Sequence, residues 1–174
     1  METAVVLTGD TSKALAPARL DELLALDAPS LRELYEKACV PRLGDVSGPL
    51  RVRMLAWPGA RGVAGRALRA CASSTRFPWR GKSFDPKGPS EGAGINRVVL
   101  DRIKLFRFET SIAPSRAGSF DALQLDYDLP ENPWFIRRIK DEMRELRPGL
   151  WLGQAYWHTA RADHLVLYFG LAAP

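Results

Sequence analysis

Strand-like segments joined by links of hairpin length fill most of the second half of this chain, and they constrain its fold more than any other feature. Residues 95–100, 103–112, 120–127, 150–158 and 165–171 all read as strands, and the links Asp101-Arg102, 114–118 and 159–163 are short enough to turn one strand back on the last. Alternation within them has the period of two that a one-sided sheet needs. In IKLFRFETSI, Phe106, Phe108, Thr110 and Ile112 share a face opposite Arg107 and Glu109; in ALQLDYD, Leu123, Leu125 and Tyr127 oppose Gln124, Asp126 and Asp128. The earlier stretch GPLRVRMLAW sets Leu50, Val52 and Met54 against Arg51 and Arg53 and adds a strand before the Pro58-Gly59 turn.

The two C-terminal segments break the alternation. LWLGQAYWH puts Leu150, Leu152, Gln154, Tyr156 and His158 on one side and Trp151, Gly153, Ala155 and Trp157 on the other, while HLVLYFGL is apolar on both. A further layer must therefore pack outside them. The spacing predicts that cover as an amphipathic helix over 133–147, with Asn132 as N-cap, Pro133 at N1, and Ile136, Ile139, Met143 and Leu146 as its apolar stripe. Asp126, Asp128 and Glu131 then read as the approach to a capped helix rather than a calcium loop. Two short helices are expected between Pro17 and Val40, capped at Asp27 or Ser30. Residues 61–73 read as a helix weakened by Gly65, or as strand and loop; residues 77–94 read as a mobile loop, or a short strand at 79–84 followed by a loop. The expected fold class is α+β: an antiparallel sheet of about seven strands, curled or closed into a short barrel, with N-terminal helices and one amphipathic helix near 133–147.

At 174 residues and 46% hydrophobic content the chain has enough apolar material for one core, so a single domain over 1–174 is expected, with 1–16 as a flexible N-terminal segment. A net charge of +5 raises the possibility of nucleic acid or an anionic lipid surface as partner. The arginine pairs at 51/53, 66/69, 137/138 and 144/147 stand among acidic or apolar residues, however, which favours a mixed solvated surface and no specific nucleic acid. Cys39 and Cys71 lack CxxC spacing and read as reduced, buried thiols. The opening METAVVLTGDTSKALAP holds too short an apolar run for a signal sequence or a membrane span, so a cytoplasmic protein is expected.

One further pattern bears on the fold. Gly149-Leu150-Trp151-Leu152-Gly153 reads G-x-W-x-G, and Trp79-Arg80-Gly81-Lys82 is a second W-x-G. A G-x-W strand resembles the signature of lipocalins and the wider calycin group, including nitrobindin-like and fatty-acid-binding barrels. The layout from Trp79 onward is also similar to bacterial GxWxG-type domains. The resemblance implies a barrel in which a Trp plugs one end under a cationic side chain.

No nucleotide-binding glycine loop and no H-E-x-x-H motif is present. Gly88-Pro89-Ser90-Glu91-Gly92 matches G-x-S-x-G but lacks the strand before it and helix after it that a nucleophile elbow requires. His158 and His164 flank the turn at 159–163; with Asp163 as third ligand they would make a metal site, but hairpin-end histidines read more simply as solvated, and no metal is expected. A nitrobindin-like barrel would make His158 a haem ligand; the residues themselves imply no cofactor. Arg107, Glu109, Asp126 and Arg97 read as an external ion-pair ladder. Gln154 reads as a buried amide, structural or ligand-binding, and Tyr127 and Tyr168 as core bodies or phenols offered to a cavity.

These observations lead to a barrel that binds a small, largely apolar molecule such as a lipid or metabolite. Trp79, Phe106, Phe108, Tyr127, Gln154, Tyr156 and Tyr168 would line or close the cavity and 82–94 would serve as a lid. The alternative is an isomerase or cyclase acting on a small hydrophobic substrate in that cavity, with Glu109 or Asp126 as base. A third reading is an interaction module that uses the basic face of the 133–147 helix.

Overall fold

Leu50, Val52 and Met54, alternate residues of the first strand, lie in one buried cluster with Phe84, Phe108, Leu123, Leu125, Met143, Trp151, Phe169 and Leu171. The face that the period of two made apolar is the inside of a closed barrel. The computed structural model describes residues 17–59, 79–98 and 103–174; the readings of 1–16, 61–73, Cys71 and Asp101-Arg102 lie outside these. Among the described residues there are eight strands, β1 (Gly48–Ala56), β2 (Trp79–Pro86), β3 (Glu91–Val98), β4 (Ile103–Pro114), β5 (Asp121–Asp126), β6 (Ile139–Arg147), β7 (Leu150–His158) and β8 (Asp163–Ala172). Each pairs antiparallel with the next, and β8 pairs back onto β1. Closure in chain order leaves no open sheet edge among the described strands.

The expected α+β class and curled antiparallel sheet are therefore present, with eight strands where about seven were expected. Two helices precede the barrel as predicted, α1 (Leu20–Leu23) and α2 (Ala28–Lys37). Of the two proposed caps for α2, Asp27 is the one used: its carboxylate accepts from the Ser30 N–H at 3.0 Å. A 3₁₀ turn, η1 (Leu43–Asp45), leads into β1, and Leu43 and Val46 join the barrel's interior cluster.

The helix predicted over 133–147 is not there. Residues 139–147 form β6, paired with β5 and β7, and turns occupy most of 130–138. Asp126, Asp128 and Glu131 accordingly lead into turns. The outer cover that β7 and β8 demand comes instead from α1 and α2: Leu20, Leu23, Leu31 and Tyr35 form a second buried cluster with Leu150, Leu152 and Tyr168. The lid expected over 82–94 is likewise replaced by a β2–β3 hairpin, whose turn is closed by bonds from the Lys87 and Gly88 amides to the Glu91 carbonyl. Ser90 sits in that exposed turn. Cys39 is exposed rather than buried and bridges to Glu145 of β6.

The G-x-W-x-G stretch has a local physical explanation. Gly149 closes the β6–β7 turn at φ +80°, a conformation L side chains avoid, and the Trp151 side chain is buried inside the barrel. Gly153 stands opposite Phe169 on β8, and a Cβ there would lie 2.3 Å from the Phe169 ring. On the far side of the barrel Gly94 and Phe108 repeat the arrangement with the same 2.3 Å approach.

Candidate functional site

The barrel interior is filled unevenly. Towards the β6–β7 turn it is packed with Leu50, Leu123, Met143, Trp151 and Leu171. Towards the opposite end, a cavity of about 340 Å³ is walled by Met54, Val98, Phe106, Ile136, Ile139, Ala155 and Leu167. Four polar side chains share it, Lys82 from β2, Asn96 from β3, Tyr127 just after β5 and Asp141 from β6. A groove of similar size lies on the outer surface beside α1 and the Pro148-Gly149 turn, but its charges, Arg19, Asp21, Arg51 and Arg53, are exposed or half-exposed. The interior cavity is the candidate site.

Strand alternation explains how the four converge. Lys82 lies two residues from the buried Phe84 and so shares its inward face, Asp141 lies two from Met143, and Tyr127 continues the Leu123, Leu125 row. Lys82 is fully buried, and its ammonium donates to Asn96 Oδ1 at 2.9 Å, to Asp141 Oδ2 at 3.0 Å and to the Tyr127 hydroxyl. The Tyr127 hydroxyl in turn donates to Asp141 Oδ2 at 3.1 Å. Asn96 Nδ2 donates to the Phe106 carbonyl and to the Tyr127 oxygen, both at 3.2 Å. The rings of Phe108, Tyr127 and Phe169 lie 5.1 to 5.4 Å from Lys82 Nζ, a cation–π contact on three sides. Gly94 and Gly153 give two of those rings their room.

Asp141 is the asymmetric member. Its Oδ2 accepts two bonds, whereas its Oδ1 is buried with no hydrogen-bond partner among the described residues. Burial pushes the Lys82 ammonium below its ordinary value, with the Asp141 carboxylate opposing that shift. Burial, reinforced by the Asp141 charge, pushes the Tyr127 phenol well above its own. Tyr127 is therefore a proton donor and not a base at neutral pH.

Phe106 enters the cavity wall through a β-bulge. The β3–β4 register shifts between Ile95 and Asn96, so Phe106 is the extra residue, and its φ is +59°. Left-handed backbone in an aromatic residue is strained, and the Asn96 side chain holds the bulged carbonyl. One polar residue thus serves both the bulge and the ammonium.

Of the residues singled out from the sequence, Phe106 and Tyr127 line the cavity, and Phe108 packs against Tyr127 with ring centroids 5.3 Å apart. Trp79 begins β2. Gln154, Tyr156 and Tyr168 stand on the outer face of β7 and β8, where Tyr156 donates to Gln154 at 2.5 Å. Glu109 and Asp126 are exposed and paired across β4 and β5, with Lys140 on Asp126. His158 is exposed and its ring meets Asp163 Oδ1 at 2.6 Å. Among the described residues, no group of three His, Cys, Asp or Glu side chains is placed to hold a metal ion. Lys82, Asn96 and Asp141 went unnoticed as site residues. Their signal was a charged or amide side chain at the inward parity of a strand, two positions from a core residue.

The described residues thus form an eight-stranded, antiparallel, closed barrel with a partly filled interior. No family model and no curated protein matches it. Among solved structures, the crystal structure of a protein from Thermomonospora curvata is similar, with 16% sequence identity and a TM-score of 0.51 over 86% of this chain and 88% of that one. At this identity the likeness is one of fold. No helix among the described residues is long and apolar enough to cross a membrane.

Proposed function

We propose that this barrel binds a small, largely apolar molecule in its interior cavity, with the Lys82–Asn96–Tyr127–Asp141 cluster as a polar floor. The observation that carries the reading is an apolar cavity of about 340 Å³ ending on a single group of buried, convergent polar side chains, the usual plan of a small-molecule site. Stability alone accounts poorly for such a cluster, because a buried ion pair gains little over apolar residues of the same volume. The calycin-like reading of the G-x-W-x-G strand fits the same picture. Phe106 and Tyr127 are retained as ligand contacts, while Gln154, Tyr156 and Tyr168 would act by holding the barrel wall.

The isomerase or cyclase alternative requires a carboxylate in the cavity to act as base. Asp141, rather than Glu109 or Asp126, would have to fill that role through its Oδ1, unpartnered among the described residues, because two donors occupy its Oδ2.

Ala155 lines the cavity and pairs with Asp141 across β6 and β7, so Ala155→Phe fills the space directly over the polar floor while all four polar residues are retained. Native mass spectrometry of the protein exposed to medium-chain apolar compounds is expected to show a noncovalent adduct on the parent and none on Ala155→Phe, with both folded by circular dichroism. An adduct retained by the filled variant, or none on the parent, would overturn the proposal.

A further inference from the structure

The hydrogen-bond inventory of the polar floor is uneven in a way that selects a ligand class. Lys82 has three N–H donors, and Asn96 Oδ1, Tyr127 Oη and Asp141 Oδ2 take them. Asn96 has two, taken by the Phe106 carbonyl and Tyr127. Tyr127 has one, taken by Asp141 Oδ2. All six donors are committed. The acceptor side has one conspicuous surplus, Asp141 Oδ1, which is itself closed to the cavity that its residue lines, so a ligand reaches it by turning the carboxylate. A buried carboxylate oxygen without a donor is costly, and a ligand that supplies an O–H repairs it.

From this we infer that the cavity selects a neutral apolar molecule carrying a hydroxyl, an alcohol, over the corresponding carboxylate or hydrocarbon. The inference rests on the binding reading above and deepens it. A carboxylate ligand would find no uncommitted donor and would set its negative charge beside Asp141. A hydrocarbon would leave Oδ1 as it is. An alkylammonium would bring a second cation next to Lys82 into an apolar cavity, at a large desolvation cost.

The test uses octanol, octanoate and octane, which share one chain length and differ only at the head. Titrations followed by the NMR methyl signals of Ala155 and Leu167 are expected to give octanol an affinity about tenfold above either of the others, the scale of one charge-assisted hydrogen bond. In Asp141→Asn the amide oxygen can keep the Lys82 and Tyr127 bonds and turn an N–H to the Oδ1 position, so the order should invert, with octanoate bound best. If that variant fails to fold, the paired apolar replacement Lys82→Met with Asp141→Leu should bind octanol and octane alike. Octanoate or octane equal to octanol on the parent protein would overturn the alcohol selection and leave the cavity reading standing. Methyl signals unmoved by all three compounds would overturn both.

Discussion

Lys82 poses the sharpest question of any single residue, because a fully buried ammonium must find its compensation within the barrel. Removing one partner of such a pair leaves the other charge uncompensated, at about 3–5 kcal/mol, whereas replacing both with apolar side chains is often neutral. Lys82→Met alone is therefore expected to lower unfolding stability by about that amount, and Lys82→Met with Asp141→Leu to restore most of it. Urea unfolding of the parent, the single and the double variant measures this directly; equal loss in single and double variants would show that shape, not charge, is what the site requires. Gly153 sets the second residue-scale constraint. With the Phe169 ring 2.3 Å from a Cβ at that position, Gly153→Ala forces the ring into the cavity or the strand outward. An overpacking penalty of about 1–3 kcal/mol is expected from a thermal melt.

At the scale of elements, β6 joins the two sides of the barrel wall. Its inward Asp141 belongs to the polar floor, and its outward Glu142, fully buried, accepts from Tyr35 Oη at 3.0 Å, Ser115 Oγ at 2.6 Å and the Arg116 amide at 2.9 Å. The neighbouring Arg144 donates to the Tyr35 and Glu36 carbonyls, both at 3.1 Å, and stacks on the Phe120 ring. These bonds tie α2 and the β4–β5 connection to the barrel. Tyr35→Phe removes one of Glu142's donors while keeping the ring, so a loss of about 1–2 kcal/mol is expected in chemical unfolding, with the cavity and its ligand affinity unchanged. The same residues explain why β6 was hidden in the sequence. A strand at the wall of a barrel ordinarily alternates apolar and polar, but here the inward position 141 is charged because it serves Lys82, and the outward positions 142 and 144 are polar groups buried beneath α2. With the period of two erased and strong helix formers throughout, Ile136, Ile139, Met143 and Leu146 read as a helical stripe. Strands β1, β4 and β5 keep a legible alternation, and β7 and β8 were legible instead as strands covered on both faces. The site lay where local pattern and fold disagree, as functional positions often do.

The whole molecule shows its layered burial most clearly through its tyrosines. The chain has four: Tyr127 inside the barrel, and Tyr35, Tyr156 and Tyr168 between the outer wall and the layer around α1 and α2. Burial is the largest cause in raising each phenol above its ordinary value of 10.0, with the Glu142 charge adding to Tyr35 and Tyr156. The unfolded chain releases these protons near pH 10, while the folded barrel keeps them. Above that pH the native state holds more protons than the unfolded state, so stability is unaffected below pH 10 by these groups and falls as pH rises beyond it. Lys82 acts in the opposite sense. Its folded value lies below the ordinary 10.5, so it favours folding increasingly as pH rises towards 10.5, and then adds nothing further. Four phenols outweigh one amine above that point, and the barrel should lose stability steeply there. An alkaline titration of tyrosinate absorbance is expected to show less ionisation in the native protein at pH 10 than in the urea-unfolded chain, which is half ionised there. The native signal should then rise in one step, together with the loss of near-ultraviolet circular dichroism. A gradual native titration centred near 10 would mean that solvent reaches the phenols, and with them the layer that closes β7 and β8 from outside.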